Sequence, residues 1–100
     1  MRLFCMICWH KSSLIKSHQS QRKLNEAHRA YAEESGIVRF SGPFLSEDGD
    51  AMIGNFILLE AANRTDAENW ADNDPYQKAA CFERVEIHPW QQAFGGLAEK

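Results

Sequence analysis

Phe40-Ser-Gly-Pro-Phe-Leu-Ser-Glu-Asp-Gly-Asp-Ala-Met-Ile-Gly-Asn-Phe-Ile-Leu-Leu-Glu-Ala61 is the stretch that decides the fold. Asp48-Gly49 is a favoured hairpin turn, because Gly accepts positive φ and Asp tolerates it. The spacing predicts a strand ending near Ser41 at Gly42-Pro43, which folds back on a strand beginning near Met52. From Met52 to Leu59 apolar residues fill both alternating sets of positions, interrupted only by Gly54 and Asn55. Both faces of that strand must therefore be covered.

Working outward, Leu3 to Trp9 is an apolar run without Gly or Pro and reads as a first strand ended by His10-Lys11-Ser12-Ser13. Lys16 to Lys23 fits either a loop or a first helical turn. From Arg22 to Ser35, Leu24, Ala27, His28 and Tyr31 form the inner stripe of a helix, which Gly36 stops. Ile37, Val38 and Phe40 begin the next strand. Beyond the long strand, Thr65-Asp66-Ala67-Glu68 spells a capping box, so a second helix is expected to start there with Ala67, Trp70 and Ala71 inward. Asp74 caps a short third helix with Pro75 at its first position. Phe82 to His88 is a last strand, ended by Pro89, and residues 91–100 form a tail.

The order strand, helix, strand, strand, helix, strand predicts an α+β, ferredoxin-like βαββαβ sandwich with a four-stranded antiparallel sheet and its helices on one face. One hundred residues make one domain, here 1–90. The other sheet face has no cover left in the chain, so it is expected to pack on the same face of a second copy.

Composition removes several classes of function. With 11 basic against 14 acidic residues the formal charge is −3, and no basic run exceeds Arg22-Lys23, so a nucleic-acid partner is not expected. No apolar stretch approaches the roughly 20 residues of a membrane span, and Met1-Arg2 leads into no secretory cleavage site. Three cysteines build no disulfide framework, and the expected location is cytoplasmic. Cys5 and Cys8 point to opposite faces of a strand and can share neither a bridge nor a metal there. His10, His18, His28 and His88 lack zinc-site spacing, and Glu47, Asp48 and Asp50 lack a calcium-loop ladder. With no phosphate loop and no nucleophile elbow either, neither metal nor cofactor is expected.

Gly42-Pro43, Asp48-Gly49, Met52-Ile53-Gly54, Asp74-Pro75-Tyr76 and Val85-Glu86-Ile87-His88-Pro89-Trp90, in this order and spacing, resemble the YciI-like (YCII-related) family of the dimeric α/β-barrel superfamily. His28-Arg29-Ala30-Tyr31 is similar to that family's His-bearing helix. The resemblance implies a homodimer whose sheets face each other and one pocket per subunit containing a His and an Asp. It also implies an acidic residue before Lys11, where this chain has His10.

The candidate catalytic residues are His28, as general base, and Asp74, as its orienting carboxylate, although Asp74 also suits a plain helix cap. Ser41, Gly42, Pro43 and Tyr76 are the candidate substrate-binding residues: a Gly-Pro lets backbone approach a ligand, and the Tyr hydroxyl can donate. The expected chemistry is cofactor-independent proton transfer, or lyase- or dehalogenase-type elimination, on a small carbonyl or aromatic metabolite. The competing class is a non-catalytic binding or accessory dimer.

Overall fold

In the computed structural model, residues 1–12 and 22–96 are described. The chain runs β1 (Arg2–His10), α1 (Arg22–Ser35), β2 (Val38–Leu45), β3 (Met52–Ala61), α2 (Arg64–Asp72), α3 (Pro75–Lys78) and β4 (Phe82–Trp90). The strands form one antiparallel sheet in the order β2-β3-β1-β4. This is the expected α+β, ferredoxin-like sheet. The assignments made for Ser13, Lys16 and His18 lie outside the described residues.

The doubly apolar β3 sorts its side chains by register. Phe4, Met6 and Cys8 of β1 lie opposite Leu59, Ile57 and Asn55, and these share the face that the helices cover. Ala32, Ala67, Trp70, Ala71 and Tyr76 close that core from above. Phe4, Met6, Ile57 and Leu59 are fully buried, each contributing about 1.5–3 kcal/mol relative to exposure. The opposite face carries Leu3, Ile7 and Trp9 of β1, Phe56 of β3, Phe40 and Phe44 of β2, and Trp90 of β4. No element among the described residues packs over it, and Phe40 and Trp90 are 47% and 37% exposed.

Four local expectations need correction. β2 does not end at Gly42-Pro43 but runs on to Leu45, and β4 does not end at Pro89 but includes Pro89 and Trp90. Both strands lie at sheet edges, where a proline's missing N–H costs no ladder bond. The connection from β2 to β3 is correspondingly shorter than expected. Gly49 donates to the Ser46 carbonyl at 2.8 Å, Gly49 has φ of 77°, and Asp48 accepts from Ser46 Oγ and the Asp50 amide.

The cap of α2 is Asn63 rather than Thr65: its side chain accepts from the Asp66 amide at 2.9 Å, while Glu68 pairs with Arg64 on the surface. With the helix beginning at Arg64, two residues ahead of the expected start, Asn63 caps it at the Asp66 amide and the box is not used. In α1, Ala27 is exposed and the buried stripe passes through His28 and Ala32 instead. Gly36 does stop the helix, with φ of 72°.

Gly54 is the tightest point of the sheet. A Cβ there would collide with the Cys8 carbonyl oxygen and press on the rings of Trp9 and Phe44, which stack across it at 4.7 Å. Backbone cannot yield as a side chain can. Gly54→Ala is therefore expected to lower stability by about 1–3 kcal/mol in urea unfolding; an unchanged midpoint would show that the strands have room to part.

Candidate functional site

His28 lies on the inner face of α1 because its neighbours at i−4 and i+4, Leu24 and Ala32, set that face against the core. It is 5% exposed. Asp74 enters from the opposite direction. The break between α2 and α3 at Asn73-Asp74-Pro75 turns its carboxylate inward, where Oδ1 accepts from the Tyr76 amide at 2.9 Å and caps α3. The same carboxylate meets His28 Nδ1, with both oxygens 3.0 Å away. Asp74 has no solvent exposure, so the pair is formed inside the protein. The two descriptions of Asp74, cap and histidine partner, hold together in one carboxylate.

With the Nδ1 proton committed to Asp74, His28 Nε2 is left as the basic nitrogen, with no hydrogen-bond partner among the described residues. His28 lines a cleft of about 370 Å³ between α1 and β2. Ser41, Gly42 and Pro43 form its strand wall. Their wall is an edge-strand segment rather than a strand terminus. Asp74 and Tyr76 do not line the cleft; they stand behind His28. Tyr76 is 1% exposed, with its ring 4.9 Å from the His28 ring and 5.3 Å from that of His10. Its hydroxyl donates to Asn25 Oδ1 at 3.1 Å, and burial, with the Asp74 charge second, pushes its pKa up to about 12.

Four polar groups around the cleft had no role in the sequence reading. Asn25 and Arg29 flank His28 on α1, Glu33 follows one turn later, and Asn55 rises from β3. Asn55 had a visible signal, a lone amide in the most apolar run of the chain. Asn25 precedes His28 by three residues and shares its helical face. Arg29 and Glu33 carried no such signal. Asn55 Nδ2 lies 3.4 Å from His10 Nε2, and His10 is 6% exposed, packed between Tyr76 and Phe82. Burial, and secondarily the nearby His28, lowers the His10 pKa against the opposing hydrogen bond to the Met52 backbone.

The remaining candidates lie apart from the cleft. Cys5, Cys8 and Cys81 are free and buried, and burial raises the Cys8 thiol far out of its ordinary range. His88 pairs with Glu86 on the exposed edge strand. Among the described residues no three His, Cys, Asp or Glu side chains converge as a metal site, and no helix is long and apolar enough to cross a membrane.

Residues 1–91 match the family model of the YCII-related domain. The chain belongs to the YCII-related family. Curated relatives are the protein YciI of Escherichia coli O6:H1 and that of Shigella flexneri, each 24% identical over 92% of this chain and 99% of the relative. Among solved structures, a 5-chloro-2-hydroxyhydroquinone dehydrochlorinase from Burkholderia phenoliruptrix, in complex with 2,5-dihydroxybenzoquinone, superposes with a TM-score of 0.74 at 27% identity. The likeness covers 91% of this chain and 95% of that one. The YCII-related fold thus carries an enzyme in at least one neighbour of this chain.

The low pKa of His10 has a stability consequence with a fixed sign. Unfolded, this imidazole takes a proton near its ordinary 6.5; folded, it resists protonation. Its contribution is thus lost as pH falls below about 6.5 toward the folded value. Comparing urea midpoints at pH 7.5 and 5.0, His10→Gln is expected to show a smaller acid loss than the wild type. Identical losses would mean that His10 takes its proton as readily folded as unfolded.

Proposed function

We propose that this protein is a cofactor-independent enzyme in which His28 is the general base and Asp74 its orienting partner, acting on small hydroxylated aromatic or carbonyl-bearing metabolites. The observation that carries this reading is the buried carboxylate 3.0 Å from Nδ1 of a histidine whose other nitrogen is left for a cleft. Asp74 fixes the tautomer and stabilises the imidazolium formed when Nε2 takes a proton. The proton comes from a hydroxyl or from a carbon beside a carbonyl, and the electron pair left behind enters the conjugated system. It is then either reprotonated at another atom, a tautomerisation, or it expels a leaving group with its bonding pair. With chloride leaving, the sum is loss of HCl. Arg29, on the cleft wall, supplies a cation for the oxyanion. The dehydrochlorinase neighbour supports the elimination branch.

The test pairs spectroscopy with turnover. In 15N NMR spectra His28 is expected as the Nδ1–H tautomer, reverting toward Nε2–H in Asp74→Asn. Chloride release from 5-chloro-2-hydroxyhydroquinone, or turnover of whichever related phenol is accepted, should fall at least about 100-fold in His28→Gln. Full turnover in that variant would remove His28 from the chemistry, and binding without any turnover would favour the non-catalytic class.

The active form in this reading is a homodimer joined through the uncovered sheet face, in the cytoplasm, where free thiols persist. Phe40, Phe44, Phe56, Ile7 and Trp90 form a continuous apolar surface there, while Arg84, Glu86 and His88 of β4 give it a charged rim. Light scattering at micromolar concentration should return twice the 11.4 kDa of one chain, and Phe44→Asp should halve it. A monomeric wild type would leave this face open to water and end the proposal.

A further inference from the structure

The cleft holds a second polar device that the base does not use. Asn55 is 5% exposed, yet its side chain lines the cleft, and its Nδ2 faces His10 Nε2 at 3.4 Å. A neutral imidazole has one N–H, and that of His10 goes to the Met52 backbone carbonyl. Its other nitrogen can then only accept, and it accepts from the Asn55 amide. An Asn held by its NH2 group presents its carbonyl oxygen to what it faces, and Oδ1 has no hydrogen-bond partner among the described residues. We propose that Asn55, oriented by His10, is the specificity residue of the cleft, accepting a hydrogen bond from a hydroxyl of the bound molecule while His28 acts on a second group. This deepens the function proposed above and rests on it.

The chemical consequence is a substrate class. A buried acceptor left without a donor loses more than the hydrogen bond itself, so such a site discriminates strongly against molecules lacking the hydroxyl. The cleft, at about 370 Å³, suits one ring. Its preferred occupants are therefore rings bearing at least two hydroxyl groups, one read by Asn55 and one by His28. His10 is a positioning residue. It stands behind Asn55 as Asp74 stands behind His28.

Hydroquinone and 4-methoxyphenol, titrated at pH 7.5, separate the claims, because replacing one hydroxyl by a methoxy group removes one donor. The wild type should bind hydroquinone about 10-fold tighter than 4-methoxyphenol. Asn55→Leu should abolish that preference. His10→Phe should abolish it too, whereas His10→Gln should keep it, since a glutamine can donate to the Met52 carbonyl and accept from Asn55 at once. Circular dichroism confirms that each variant is folded. A hydroquinone preference unchanged by Asn55→Leu, in a protein whose affinity His28→Ala lowers, overturns the Asn55 assignment alone. A preference kept by His10→Phe overturns the orienting role of His10. Hydroquinone affinity indifferent to His28→Ala, or no binding of either phenol, overturns the reading of the cleft and this inference with it.

Discussion

The contact between His28 and Asp74 ties the helical layer together. α1 and α3 are far apart in the chain and α3 has only four residues, too short to hold itself by its own hydrogen bonds. What fixes it is one carboxylate with no exposure, bonded on one side to its own helix start and on the other to an imidazole of α1. Removing either partner would leave a buried polar group unpaired, which costs more than an average hydrogen bond contributes. Structural and chemical roles therefore cannot be separated at this pair. The charge that caps a helix is the charge that sets the histidine's tautomer.

A second constraint is the two-sided apolar sheet. Two strands, β1 and β3, are apolar on both faces, but the described helices cover one face only. The aromatic pairs Trp9 with Phe44 and Phe40 with Phe56 shield each other in part, and Gly54 exists to let the first pair close over it. Such pairs reduce the exposed area without removing it. Sheet and site are thus built on opposite sides of the same strands, with alternate residues of β3 serving each.

Much of this was legible in the sequence because it depends on periodicity. Strand order, the double-sided β3, the stop at Gly36 and the cap at Asp74 all follow from local pattern. What failed depended on position in the sheet. Local pattern makes Pro43 and Pro89 strand ends because a proline breaks an interior ladder; whether a strand lies at an edge is decided by pairing, which no local pattern reports. Local pattern likewise points to Thr65 where the structure uses Asn63 as cap, since both residues suit the role. His28 and Asp74 are nameable as a pair by type and resemblance, although 46 residues separate them and no local pattern reports their geometry. His10 looks from local pattern like no more than the end of a strand, and only the folded packing brings it against Asn55 and Tyr76.

The edge position of β2 bears on the cleft as well as on the fold. An edge strand offers unpaired amides and carbonyls to any passing strand, and Pro43 removes one of those donors where the chain forms the cleft wall. The wall is therefore open to a small molecule and poorly suited to strand addition. Its neighbour Phe40 lines the cleft and also stacks on Phe56 in the uncovered face. Anything seated on that face rests against a ring that also bounds the cleft. In this fold the cover of the sheet and the shape of the site meet in one half-exposed side chain.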